Sequence, residues 1–184
     1  MHPFITEPIT FYLITNLILA TINDLRFHKI PNILNFSVIG ISLIYYTWTY
    51  GFQGFIFCVS GMLLGIALLI GPYLLGGMGA GDAKLMGAVG AVLGPKGVFI
   101  AFLYTSLVGG IYAAIMMLVH RDHGKAIIST VFTGIKSLLI THRWVPEIPE
   151  PHEKSPRLCY GLAIALGTLF YLGLERFGLS FISI

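Results

Sequence analysis

Of 184 residues, 56% are hydrophobic and only 10% are charged, which is more apolar surface than a soluble domain of this length can bury. The formal net charge is +3, and the basic residues fall between apolar runs, where membrane orientation accounts for them more simply than nucleic acid does. Composition therefore excludes a soluble domain and gives no sign of a nucleic-acid partner; it leaves a chain whose solvent is the lipid bilayer.

The expected fold is an all-α integral membrane protein, a polytopic bundle of about six transmembrane helices, since roughly 20 apolar residues suffice to cross the hydrocarbon core. The spans are read at residues 5–23, 33–50, 54–75, 83–94, 98–119 and 157–174. These runs lack alternation and are too long for barrel strands. The first has no small-residue cleavage site behind it and leads straight to Asp24, so it reads as a span and not as a removable signal. Pro31 starts the second and makes Asp24 to Asn32 a short, constrained turn. Gly61 and Gly65 in the third, and Ala83, Gly87, Ala91, Gly90 and Gly94 in the fourth, give small faces that let backbones approach closely. The fourth is short for a full crossing at about 1.5 Å per residue, so tilting, local thinning or a partial crossing is expected. A thin, closely packed helix there would hold Asp82 inside the bundle.

Between the fifth and sixth spans lies a cytoplasmic or interfacial loop at about 120–156. Its first half, residues 126–140, spaces apolar residues helically beside Lys125 and Lys136, as in a helix lying in the membrane interface. The second half, 144–156, is rich in proline and acidic residues and reads as extended. Six crossings put Arg26, Lys29, Lys84 and the basic residues of this loop on one side, with Lys96 and Arg176 as exceptions. The positive-inside rule makes that side cytoplasmic and places both termini outside. The whole chain, 1–184, reads as one membrane-embedded domain without internal repeats.

Two carboxylates stand out in this frame. Asp82 follows the glycine-rich turn Gly76-Gly77-Met78-Gly79-Ala80-Gly81 at the mouth of an apolar helix, and Asp24 ends another apolar run on the same side. An ionisable group at a membrane segment costs several kcal/mol, and by default it marks a site. Helix capping is the simpler alternative for Asp82 and is compatible with a site; for Asp24 the alternative is a solvated charge outside the first span. The glycines Gly79 and Gly81 let the backbone bend sharply and come near a substrate strand. Phosphate binding fits poorly, because Asp follows Gly81 where a phosphate loop has lysine, and no strand precedes the turn. Cys58 and Cys159 show no CxxC spacing and read as packing residues, the histidines form no ligand set, and Glu7 and Glu175 need only solvent. Neither a metal nor another cofactor is expected.

Asp24 with Lys29-Ile30-Pro31-Asn32, and Gly79-Ala80-Gly81-Asp82-Ala83-Lys84-Leu85, resemble the two motifs of the prepilin peptidases, membrane aspartyl proteases with a GxGD motif. Motif spacing, spans and length extend the resemblance over nearly the whole chain, and within the family it is similar to the short, peptidase-only form of tight-adherence (Flp-type) pili. Larger members add an N-methyltransferase region with paired cysteines, which nothing here could supply. A third stretch, Cys159-Tyr160-Gly161-Leu162-Ala163-Ile164-Ala165-Leu166-Gly167, is similar to a signature of the family's last helix but has cysteine where proline is usual; ordinary small-residue packing explains it equally.

The resemblance implies that Asp24 and Asp82 are catalytic and that Gly79, Gly81, Lys84, Pro31 and Asn32 shape the site or bind substrate. Lys84 has two open readings, one acting on Asp82 or a substrate carbonyl and one snorkelling to the headgroups. The implied substrate is a type IV prepilin-like precursor, cut at the cytoplasmic face of a prokaryotic inner membrane. Two aspartates would share a proton, one activating water and the other donating; soluble aspartic proteases work through a pair of this kind. Rival readings are a GxGD protease with a preflagellin-like substrate, a proton-coupled transporter using both carboxylates as a relay, and a purely structural membrane subunit. A relay needs carboxylates near mid-membrane with water paths to both sides, whereas these sit at one edge.

Overall fold

The computed structural model describes residues 7–74, 78–119 and 159–176, and every element among them is a helix. In chain order these are α1 (Glu7–Phe27), α2 (Asn32–Leu74), α3 (Ala80–Val119) and α4 (Tyr160–Arg176). Three are long and apolar enough to cross a membrane, over Pro8–Phe27, Asn32–Leu74 and Ala80–Ile115. Two compact units divide the chain, Met1–Gly109 with Cys159–Ile184 and, separately, Gly110–Leu158. The first holds α1, α2, α4 and most of α3; the second contributes only the end of α3 to the described residues. The expected interfacial helix at 126–140 and the extended segment at 144–156 lie outside them.

Both long helices are broken at one glycine. Gly51 has φ 60 and ψ −140 inside α2, and Gly94 has φ 70 and ψ −178 inside α3. Side chains rarely tolerate a positive φ, so a single glycine redirects each helix without a loop. The apolar spans leave connections at 51–53 and 95–97; in the structure helix runs through both, broken at Gly51 in the first and at Gly94, just before the second. At Gly94 the ring of Phe57 occupies the place a Cβ would take, a second reason for glycine. The break leaves helix carbonyls without intrahelical donors, and Pro95 has no N–H to offer. Tyr46, fully buried on α2, donates its hydroxyl to the Val92 carbonyl at 2.8 Å.

The segment of α3 before this break is the centre of the first unit. Residues 85–94 are buried without exception, so the helix is enclosed all round. Glycine is what allows the enclosure: a Cβ on Gly61 would collide with the Gly90 carbonyl, one on Gly90 with the Gly61 carbonyl, and one on Gly65 with the Met86 carbonyl. The small faces expected in the third and fourth spans thus pack against each other, backbone to backbone. Helix α1 packs on α4 and α2, burying Leu13 and Leu17. Outward faces are apolar, with Trp48, Phe52, Phe11 and Ile44 all largely exposed. One expectation fails at the far end of α4: Glu175 does not simply face solvent, because it takes a hydrogen bond from Tyr171 and its Oε2 is buried.

Candidate active site

Asp24 stands in the last turn of α1 and is buried, with 7% of its surface exposed. A carboxylate there meets the negative end of its own helix dipole, so its charge needs support from elsewhere. Support comes from the start of α4, where the Gly161 N–H donates to Asp24 Oδ2 at 3.0 Å. That N–H belongs to the first helical turn and has no intrahelical acceptor, and the positive end of α4 suits an anion. A Cβ on Gly161 would lie 2.8 Å from Oδ2 and 3.2 Å from the Asp24 Cβ and Cγ, so glycine is what permits the contact. The third sequence stretch, explicable as packing alone, therefore also supplies a polar ligand to Asp24.

The chain leaves α1 through His28, whose backbone adopts φ 50, the left-handed conformation of a helix C-terminus. Its N–H closes the helix on the Asp24 carbonyl at 2.8 Å. The imidazole Nδ1 lies 3.4 Å from the Cys159 sulfur, and the thiol in turn points to the Asp24 carbonyl at 3.9 Å. Neither residue has a site role on sequence grounds; here they join the end of α1 to the entry of α4.

Asp82 is the third residue of α3 and is 8% exposed. The cap position is Gly79, and Asp82 reaches back to it: the Gly79 N–H donates to Oδ2 at 3.1 Å, while the Asp82 N–H donates to the Gly79 carbonyl at 3.1 Å. This is the return half of a capping box, so capping takes place from inside the helix and not from the position before it. Gly79 has Asp82 Oδ2 at 3.3 Å from where its Cβ would stand, and Gly81 has the Ile30 Cβ at 3.3 Å from its own. The two glycines keep the turn tight against α3 and against the segment entering α2.

Residues of the α2 entry grip this turn. The Leu34 N–H donates to the Pro31 carbonyl at 3.1 Å, with Pro31 one position before the helix and Asn32 as its first residue. Lys84 Nζ donates to Asn32 Oδ1 at 3.0 Å and lies 5.9 Å from the centre of the Phe36 ring. The direct pairing with Asp82 that the sequence allows is thus replaced by a bridge between helix starts. Asn35, almost completely buried, donates from Nδ2 to the Gly81 carbonyl at 3.3 Å. Sequence reasoning misses Asn35, which carries no charge and matches no motif; its spacing after Asn32, one helical turn on the same face, is the available signal.

Asp24 and Asp82 lie within electrostatic reach of each other. The charge of Asp24 acts on Asp82, both act on Cys159, and Asp82 acts on Tyr160 beside it. Two buried carboxylates that feel each other's charge do not ionise independently, the electrostatic condition for a pair that shares a proton. Such a pair has the parts for general acid and general base on one substrate.

The Type IV leader peptidase family matches residues 11–114. A prepilin leader peptidase/N-methyltransferase of Bacillus subtilis (strain 168) is 32% identical over 111 residues, which is 59% of this chain and 44% of that protein. The match thus spans less than half of the relative's length. No solved structure matches. The family match covers more than half of the sequence and takes in both carboxylates, from α1 through the turn before Asp82 and past the break at Gly94, so the chain belongs to the type IV leader peptidase family.

Proposed function

We propose that the chain is a membrane aspartyl endopeptidase that removes the leader from type IV prepilin-like precursors of the Flp type, with Asp24 and Asp82 as its catalytic pair. One observation carries this reading: two buried carboxylates from different helices, each held by a backbone N–H of a glycine, lie within electrostatic reach of each other. In the proposed reaction the ionised aspartate takes a proton from water as its oxygen attacks the scissile carbonyl, and the protonated aspartate donates to the carbonyl oxygen. Collapse then breaks the C–N bond, the amine leaves with the first proton, and the dyad is restored. Family membership and the relative's name support the substrate class.

The wider reading is one membrane-embedded domain of six crossings in a prokaryotic inner membrane. Its site faces the cytoplasm, residues 120–156 form a loop on that side, and both termini lie outside. A leader segment extended against Gly79 and Gly81 would expose its scissile bond just before the precursor's own membrane helix.

Co-expression with a Flp-type prepilin tests this directly. The wild type should shorten the precursor on a gel, whereas Asp24→Ala and Asp82→Ala should insert normally and leave it intact. Cleavage by either variant would refute the dyad, and no cleavage by an inserted wild type would refute the substrate.

A further inference from the structure

Three polar contacts tie the end of α1 to the entry of α4, and two of them run through Cys159, which the proposed reaction does not use. His28 closes α1 with φ 50, a conformation for which glycine is the usual residue. A larger side chain kept there needs something to hold it. Among the described residues the imidazole meets Cys159, with Nδ1 3.4 Å from the sulfur. Cys159 is 5% exposed and feels the charges of Asp24 and Asp82, surroundings that suit a neutral thiol and not a thiolate. A neutral thiol has one hydrogen to donate. Its two acceptors are Nδ1 at 3.4 Å and the Asp24 carbonyl at 3.9 Å, and that carbonyl already takes the His28 N–H at 2.8 Å. Nδ1 is the nearer and the unengaged one, which leaves the ring proton of a neutral imidazole on Nε2.

We propose that His28 and Cys159 are positioning residues for Asp24, the thiol donating to Nδ1 and the pair fixing the first turn of α4 so that the Gly161 N–H meets the carboxylate. The inference rests on the dyad reading above and adds two residues that hold one of its members in place. Cys159 stands two residues before Gly161, so a shift of the thiol passes through two peptide units to the N–H that Asp24 accepts. Asp24 has little room to follow, because the Gly161 Cα region already lies against its Cβ and Cγ. His28 is exposed and so open to protons from water. Acidification that protonates the ring turns Nδ1 from acceptor to donor, and the thiol must then turn to the Asp24 carbonyl. The titratable and charged groups around this contact are Asp24 on α1, Asp82 at the start of α3, Tyr160 beside Cys159, and Arg26 and Lys29 flanking His28 in the chain.

The test reads the infrared S–H stretching band of the full chain in detergent without substrate, since the frequency of that band changes with the acceptor of the thiol. The Cys159 band is the one lost in Cys159→Ala, and Cys58, buried on α2, supplies a second band as reference. In the wild type the Cys159 band should shift as the imidazole is protonated, and His28→Asn should abolish that response while the Cys58 band stays where it is. Asparagine tolerates the left-handed conformation, so the end of α1 is kept. In cleavage assays His28→Asn and Cys159→Ala should each lower kcat about tenfold with KM nearly unchanged, and the double variant should lose no more than either single, as members of one contact do. Cys159→Ser, which keeps a donor for Nδ1, should restore most of the rate. If His28→Asn fails to insert, the pH response of the wild-type band and the Cys159 variants carry the same test. A Cys159 band indifferent to pH and to His28→Asn would overturn the contact. Wild-type kcat in the variants, or losses that multiply in the double variant, would overturn the positioning role. Cleavage by Asp24→Ala with the band response intact would strike the dyad reading, and the positioning role with it, while the contact stands.

Discussion

At the scale of single residues, the contact between Gly161 and Asp24 is the most sensitive point of the site. A methyl group there would press on the carboxylate at 2.8 Å, and either α4 or the Asp24 side chain must give way. Misplacement of a catalytic group by about 1 Å costs on the order of a hundredfold in rate, so Gly161→Ala should lower kcat roughly tenfold to a hundredfold with little loss of stability. Steady-state cleavage measured beside a thermal melt would separate the two effects; unchanged kcat would remove Gly161 from the machinery. Asp24 and Asp82 are legible in the sequence because a carboxylate at the edge of an apolar run is conspicuous by its solvation cost. The partner of Asp24 is not, since the Gly161 N–H becomes its ligand only through a contact 137 residues apart in the chain, and the Asn35 amide likewise reaches the Gly81 carbonyl across 46. Lys84 stands two residues from Asp82 in sequence, and its side chain bridges to Asn32, a contact that closeness in sequence does not suggest.

Between elements, the fit of α2 to α3 decides where Asp82 stands. The backbones touch at Gly61 and Gly90, so Gly61→Val should force the helices apart and destabilise the protein by about 1–3 kcal/mol or more, with loss of cleavage as Asp82 moves. A denaturant titration in detergent reads the first effect and the cleavage assay the second. Stability equal to wild type would mean that the approach is not tight. The hydroxyl of Tyr46 offers a gentler change: Tyr46→Phe leaves the Val92 carbonyl buried at the Gly94 break and should cost about 1–3 kcal/mol, while the ring keeps its place against Phe57. Small residues at helical spacing make the α2–α3 contact readable from sequence. The shapes of the breaks are not, because apolar runs on both sides of Gly51 and Gly94 look alike whether a loop or a single residue joins them.

For the molecule as a whole, the site itself constrains how the chain is threaded. Asp24 lies just before α2 and Asp82 just after it, so the proposed dyad, working from one membrane face, requires α2 to cross the bilayer an even number of times. Its 43 residues measure about 65 Å as a helix, more than twice the roughly 30 Å of the hydrocarbon core. Two crossings that turn back at Gly51 satisfy length and site together, and residues 32–50 and 52–74 are each long enough for one. Reporter fusions should therefore place the Lys29 turn and Lys84 on the cytoplasmic side and the Gly51 break on the opposite side, with Trp48 and Phe52 in the aromatic belt of that interface. A reporter at Gly51 found on the same side as Lys29 would deny the double crossing. The apolar exterior of α2 would then require another partner, and the charges at Lys29 and Lys84 would no longer orient the site.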